Sequence, residues 1–163
     1  MDSKHSRAPK QLGDFGEGLV TYALIRKGFE VACVDHVGAD LIAERDGNRI
    51  AVSVKSRLFR VGSRESRVTV FRDDHLDKLD HFAERFSLEP VLAQVICLAD
   101  DRLIHLFIMK SADIRSKLKK VKHGYSLNYG EAKLEITTTL PFVDYSCWKD
   151  ETIQDGLFVK PSE

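Results

Sequence analysis

Hydrophobic and polar positions alternate along the chain with two different periods, which predict a mixture of helices and strands. Between Asp14 and Gly28, apolar residues recur at helical spacing, and this predicts a helix capped by Asp14 and ended by Gly28. A second helical pattern, apolar on one face, covers residues 73–86. Nearly continuous apolar runs at 91–99 and 103–109 predict two buried, neighbouring strands.

A hairpin is predicted between these two helices. Strands at about 39–45 and 48–57 flank Asp46-Gly47, a strong two-residue turn signal. Directly opposed side chains share one side of the sheet. The turn pairs Arg45 with Asn48, and this register decides which residues are opposed. The polar side then carries Asp40, Ile42, Glu44, Arg49, Ala51, Ser53 and Lys55, and the core side carries Leu41, Ala43, Ile50, Val52 and Val54.

A further strand is predicted at FEVACVD, between the first helix and the hairpin. The order helix, three strands, helix, two strands is typical of an α/β fold. A chain of 163 residues is long enough to form a single domain with a substantial core. We expect a flexible N-terminus at 1–10 and an α/β core at 11–122. The remainder, 123–163, contains KLEITTTL and Trp148 and is expected to form an edge strand and a packing tail of the same domain.

Composition narrows the possible classes of protein only slightly. The 25 basic and 25 acidic residues give no net charge, so the overall charge does not indicate a nucleic-acid partner. Locally, basic residues cluster between Lys55 and Arg72 and again between Arg115 and Lys122, where they suit either a solvated face or a phosphate backbone. Three widely spaced cysteines favour a reducing, cytoplasmic setting, and no apolar run predicts a membrane span.

One constellation of residues carries candidate chemistry. Glu17 lies in the first predicted helix, Asp40 follows Gly38 at the start of a strand, and the hairpin ends in VSVKSR, which includes Lys55. Over about residues 11–110 this arrangement resembles the PD-(D/E)xK nuclease superfamily, and is nearest to its Holliday-junction-resolvase and Mrr-type branches. The resemblance implies a restriction-endonuclease-like αβββαβ core, in which helices flank a central mixed sheet.

The resemblance also implies a role for each matching residue. Asp40 would bind a divalent cation, Mg²⁺ or Mn²⁺, together with the carbonyl of Val54 and with Glu17, while Lys55 would act on the phosphate and the attacking water. Ser53 departs from the pattern, since the superfamily has Glu, Asp or Gln there. The implied activity is metal-dependent phosphodiester hydrolysis on DNA, with Asp40, Lys55, Glu17 and Ser53 as the catalytic residues.

Simpler interpretations of the same residues remain open. Asp40 also suits a turn, Lys55 the surface of an edge strand, and Glu17 the first turn of a helix. Without a carboxylate at Ser53, the chain is alternatively a degenerate nuclease fold that binds nucleic acid or protein without cleaving, or an α/β domain with another role. Four residues are candidate phosphate contacts: Arg57, Arg60, Arg64 and Arg67. A homodimer formed through the tail after residue 123 is a further possibility.

Overall fold

The computed structural model describes residues 7–149. Four helices and nine strands follow in the order α1 (Ala8–Arg26), β1 (Glu30–His36), β2 (Ala39–Arg45), β3 (Asn48–Phe59), β4 (Val68–Arg72), α2 (Asp73–Phe86), β5 (Glu89–Leu98), β6 (Leu103–Lys110), α3 (Ser111–Lys117), β7 (Lys119–Val121), β8 (Gly124–Asn128), α4 (Glu131–Thr138) and β9 (Asp144–Lys149). The predicted α/β class is confirmed. Among these residues, no helix is both long enough and apolar enough to cross a membrane.

A six-stranded mixed sheet forms the centre of the molecule, with the order β1-β2-β3-β5-β6-β9. Strands β3 and β5 are parallel, and the other neighbours are antiparallel. Val52 packs in one core cluster with α1, while its neighbour Ala51 packs in another with α2. Because successive strand residues face opposite sides, α1 and α2 cover opposite faces of the sheet. The predicted core, a central mixed sheet flanked by helices, is confirmed.

The hairpin has the predicted register. Arg45 pairs with Asn48, and the ladder continues to the pair Leu41 and Val52. Asp46 and Gly47 both have positive φ, as a two-residue turn that follows the sheet twist requires. The hairpin side predicted to be polar is instead partly buried, because α2 packs on it and Ala51 is fully buried there. Both faces of the hairpin therefore contribute to the core.

Helix α1 begins earlier than the sequence pattern predicts. It starts at Ala8, with a proline in its first two positions, and Asp14 lies inside it, paired with Lys10 rather than capping the helix. Proline favours the first turn of a helix because its missing N–H has no helical partner there. Gly28 follows the end of the helix with positive φ, as predicted. The helix thus includes part of the segment expected to be flexible, and residues 1–6 lie outside the described part of the chain.

The C-terminal part has an edge strand, but at a different place from KLEITTTL. That stretch forms most of α4, where Leu134 packs on the core and Thr137 donates a hydrogen bond to the Asn128 carbonyl. Tertiary packing overrides the strand preference of its threonines. Strand β9, which contains Trp148, forms the edge beside β6. Residues 150–163 of the predicted tail lie outside the described residues.

A second, three-stranded sheet of order β4-β8-β7 stands beside the central one. Its first strand, β4, lies in the stretch that follows the hairpin and leads directly into α2. Arg57 of β3 donates a hydrogen bond to the Val68 carbonyl of β4 at 2.9 Å. This contact links the two sheets beside the hairpin end, and it places β4 as one wall of a depression above β3 and β5.

Candidate active site

Three of the predicted site residues line one cleft between the hairpin and α2. A cavity of about 200 Å³ is bordered by Gly38, Asp40, Ser53, Lys55, His75 and Lys78. Lys55 and Asp40 are half-buried, and Ser53 is 6% exposed. Lys55 lies on β3, which has neighbours on both sides, so it is not an edge-strand lysine. The structure therefore brings the acid, the hydroxyl and the amine to the same opening.

Asp40 sits where strands β2 and β3 separate. The backbone ladder ends at Leu41 and Val52, and the Asp40 carboxylate accepts a hydrogen bond from the N–H of Val54 at 2.6 Å. The side chain thus replaces the backbone partner that β2 would otherwise offer to Val54. The N–H and C=O of one strand residue point to the same edge. The carbonyl of Val54 therefore faces the same edge of β3 as the Asp40 carboxylate.

Gly38 holds the start of β2 against α2. It has φ of +113°, and a Cβ at this position would clash with the Lys78 carbonyl of α2. Glycine meets both requirements, since it tolerates this backbone region and leaves room for the helix. The contact fixes the position of Asp40, two residues later, relative to His75 and Lys78 on α2.

Glu17 approaches the site from α1. Burial raises the pKa of Glu17, and the negative charge of Asp40 raises it further. The charge of Asp40 therefore acts on Glu17, although Glu17 is not among the residues that line the cleft. The close packing of α1 on β3 has a visible cause, because a Cβ on Gly16 would clash with the Ser56 hydroxyl. Glycine at residue 16 therefore allows the helix to approach the strand beside the site.

Lys55 has no anionic partner within the described residues. Its ammonium makes none of the ion pairs within 4.0 Å found between residues 7 and 149, so it is not paired with Asp40. Its backbone is held by Gln94 of β5, whose amide donates to the Lys55 carbonyl at 3.2 Å. A half-buried lysine without a partner is available to an anion that enters the cleft.

Two cleft residues were not anticipated from the sequence, His75 and Lys78 of α2. They are three residues apart and so share one side of the helix. This spacing is the signal that could have identified them. The pattern instead drew attention to the apolar face of α2, where Leu76, Leu79 and Phe82 are indeed buried. Burial lowers the pKa of His75, and the nearby charge of Lys55 lowers it further, which favours the neutral imidazole.

The four candidate arginines divide into two kinds. Arg57 bonds the Val68 carbonyl and pairs with Glu65, and Arg67 pairs with Asp101 at 2.8 Å. These two hold the loop between β3 and β4 in place. Arg60 and Arg64 are exposed and form no ion pair with another described residue. Only these two are therefore free to contact a phosphate backbone without first breaking an internal contact.

The oxygen donors of the cleft fit a magnesium-like cation. Residues 7–149 contain no group of three or more His, Cys, Asp or Glu that could hold a metal ion, so a closed site of the structural-zinc type is not present among them. Mg²⁺ retains several waters and needs only one or two carboxylates. The cleft itself offers the Asp40 carboxylate and the Ser53 hydroxyl, and the Val54 carbonyl faces the same edge of β3 as Asp40. These are hard oxygen donors of the kind that Mg²⁺ prefers, and Glu17 would have to reach in from α1 to add a second carboxylate.

A larger cavity lies elsewhere, near the end of α1 and the start of β9, and measures about 890 Å³. Three lysines on its wall are each paired with a carboxylate on the same wall: Lys27 with Asp144, Lys110 with Glu89 and Lys117 with Asp113, at 2.6–2.8 Å. Because these paired charges neutralise one another, the three lysines do not make this cavity an anion site, despite its size.

The comparisons with known proteins bear on the fold. No protein-family model matches the sequence, and no curated protein does. Among solved structures, the chain is similar to Hjc, a Holliday junction resolvase from the archaeal hyperthermophile Archaeoglobus fulgidus. The match covers 76% of this chain and 93% of the resolvase, with a TM-score of 0.53 and 16% sequence identity. At this identity the similarity establishes the fold, and it confirms the predicted resemblance to the resolvase branch at that level.

Proposed function

We propose that this protein is a divalent-metal-dependent nuclease that hydrolyses phosphodiester bonds in DNA. The observation that carries the proposal is the cleft in which Asp40 and Lys55 face one opening without pairing with each other. Glu17 on α1 adds a second carboxylate, whose pKa the charge of Asp40 raises. The shared fold with a Holliday junction resolvase supports DNA as the substrate.

The residues of the cleft suit the chemistry of this reaction. Phosphodiester hydrolysis is very slow without a catalyst, and enzymes supply about 8–23 kcal/mol of transition-state stabilisation for slow reactions. Asp40, Glu17 and the Val54 carbonyl would hold a Mg²⁺ or Mn²⁺ ion, which when bound would neutralise charge on the phosphate and acidify a bound water. Lys55 contributes a fixed positive charge where negative charge develops on the phosphate oxygens. Ser53 contributes a hydroxyl that orients water but adds no charge.

The surroundings of the cleft are suited to a DNA backbone. Exposed Arg60 and Arg64 lie in the loop that follows β3, and Lys78 adds positive charge to the cleft itself. We expect binding to weaken steeply as the salt concentration rises, since phosphate contacts release counterions. A homodimer, which would present two sites to two strands, and a cytoplasmic location both belong to this proposal.

A nicking assay on supercoiled DNA with Mg²⁺ or Mn²⁺ tests the proposal directly. Asp40→Asn and Lys55→Met should each reduce the rate at least about 100-fold, the usual effect of removing a group that stabilises transition-state charge. Lys110→Met is the matched control, because Lys110 forms an exposed pair far from the cleft and its loss should leave the rate unchanged. Nicking that persists in both cleft variants would remove this assignment.

A second candidate function is DNA or protein binding without cleavage. It is favoured by Ser53, which leaves the described residues with no cluster of three metal-ligating side chains. Calorimetric titration with Mn²⁺ separates the two. A nuclease should show a saturable site that Asp40→Asn removes, whereas a binding domain should show none and should bind DNA equally well in EDTA.

A further inference from the structure

A second cavity opens directly beside the cleft. It measures about 190 Å³, and Lys55 and His75 line both spaces, so the two are neighbours. Its floor is formed by β3 and β5, and its wall by residues 69–72 of β4. A chain lying in the cleft would therefore have this cavity as its immediate neighbour.

Gln94 on the floor of this cavity carries an unused hydrogen-bond acceptor. Its side chain is 3% exposed, and Nε2 donates to the carbonyls of Lys55 and Val95, both at 3.2 Å. These contacts fix the amide, because turning it over would place Oε1 against two carbonyl oxygens. Oε1 accepts no hydrogen bond from another described residue, and it is not among the fully enclosed side-chain atoms that lack a partner. It is therefore accessible from the cavity.

A buried acceptor of this kind requires a donor from whatever fills the cavity, since leaving it unsatisfied is costly. The rest of the lining restricts the choice of ligand. Leu92, Val70 and Phe71 are apolar, and Lys55 places positive charge at the edge, whereas Arg72 is already paired with Asp74 at 2.9 Å. The volume is below the roughly 300 Å³ of pockets for drug-sized ligands, and it suits a single planar ring system. A flat polar ring attached to a phosphate is a nucleotide.

We propose that this cavity receives the base of an unpaired nucleotide next to the scissile phosphate. Gln94 Oε1 accepts a hydrogen bond from a ring or amino N–H of the base, and the His75 imidazole offers a surface on which the base stacks. Lys55 faces the adjoining phosphate. The inference rests on the proposed function and narrows its substrate. A base stacked in continuous duplex does not reach a floor residue, so the preferred DNA has an unpaired nucleotide at the cleavage position.

The test uses the full chain carrying Asp40→Asn, which should bind DNA without cutting it. The probe is a duplex with one 2-aminopurine, either fully paired or unpaired in an otherwise identical strand. We expect about tenfold tighter binding of the unpaired probe, a difference of about 1.4 kcal/mol, and a change in 2-aminopurine fluorescence on binding. Adding Gln94→Met, which keeps the size of the side chain, should reduce the preference to less than threefold.

Two further variants keep the result interpretable. Gln11→Met replaces an exposed glutamine on α1 and should retain the full preference. If Gln94→Met fails to fold, His75→Ala, at a partly exposed position, should instead weaken binding of the unpaired probe about fivefold. Equal affinity for both probes, or a preference untouched by Gln94→Met or His75→Ala, would overturn the subsite.

Cleavage by the wild-type protein is scored separately from binding. If the wild type cleaves paired and unpaired DNA equally and the probes bind alike, the subsite is wrong while the nuclease function stands. If the wild type cleaves neither DNA but the Gln94-dependent preference persists, the nuclease function is wrong and the subsite stands.

Discussion

At the scale of single residues, the important feature is a pair of carboxylates, Asp40 and Glu17, of which one raises the pKa of the other. Asp40 is fixed by the Val54 amide, and Glu17 lies on α1, which packs closely on β3 at Gly16. The raised pKa of Glu17 shows that ionising it costs free energy in the folded protein. This repulsion is the expected cost of a site that a cation would neutralise.

The first prediction concerns Glu17→Gln. A carboxyl whose pKa is raised by folding stabilises the fold below its ordinary pKa, and this contribution is lost as the pH rises through the folded pKa. At pH 7.5 the ionised Glu17 is therefore destabilising. In EDTA the variant should be more stable than the wild type in urea unfolding. The gain should be at most about 1 kcal/mol, because the Glu17 carboxylate is only partly buried.

A matched control is Glu135→Gln, which neutralises an exposed carboxylate on α4 and should leave the stability unchanged. Adding Mn²⁺ should stabilise the wild type more than Glu17→Gln, because a ligand stabilises only the state that binds it. A Glu17→Gln protein less stable than the wild type in EDTA would show that the two carboxylates do not repel each other.

At the scale of elements, the site depends on where β2 meets α2. The hairpin brings Asp40 and Lys55 to one side, but α2 closes that side and leaves a cleft only at the end of the ladder. Gly38 is the contact point, since its backbone lies directly against the Lys78 carbonyl. The position of one glycine therefore controls both the packing of α2 and the placement of the acid.

The second prediction follows from this contact. Gly38→Ala should lower the free energy of unfolding by about 1–3 kcal/mol, because alanine meets both an unfavourable φ and a clash with α2. Gly47→Ala is the matched control, with a similar positive φ but nothing within 4 Å of a Cβ. Only Gly38→Ala should also weaken Mn²⁺ binding in calorimetry. Equal losses of stability and of Mn²⁺ affinity in the two variants would contradict a specific role for the contact.

At the scale of the whole molecule, the central sheet separates two cores and is completed by an edge strand from the C-terminal part. His105 on β6 is 1% exposed, and its Nδ1 lies 2.8 Å from the Tyr145 hydroxyl of β9. Its Nε2 has no partner among the described residues. Burial lowers the pKa of His105, so the neutral form is favoured in the fold. The edge strand is therefore attached through an imidazole whose neutral form is favoured by burial.

The third prediction is a dependence of stability on pH. The stabilising contribution of neutral His105 is fully present above its ordinary pKa of 6.5 and is lost as the pH falls toward the lowered folded value. Urea unfolding at pH 7.5 and 5.5 should show a loss of stability in the wild type. His105→Phe should be less stable at pH 7.5, by about 1 kcal/mol for the lost Tyr145 contact, but should lose less on acidification. His123→Asn, at an exposed histidine, should behave like the wild type.

Local sequence determined much of the fold and the positions of the candidate site residues on their strands. Asp46-Gly47 set the register, and the period of two along the strands then fixed Asp40, Ser53 and Lys55 on one side. These features depend on residues close together in the chain. The strong apolar runs of β5 and β6 and the apolar face of α2 were predictable for the same reason.

Tertiary structure decided the rest. The start of α1, the helical state of KLEITTTL and the burial of Ala51 depend on what packs against each segment. His75 and Lys78 reach the cleft from α2, and Gln94 reaches the neighbouring cavity from β5. Each of these three residues lies 20 or more positions from Lys55 in the chain. Periodicity reports which side of an element is buried, but not which distant side chains share a cavity. That depends on long-range packing, and here packing determines the surroundings of the candidate chemistry.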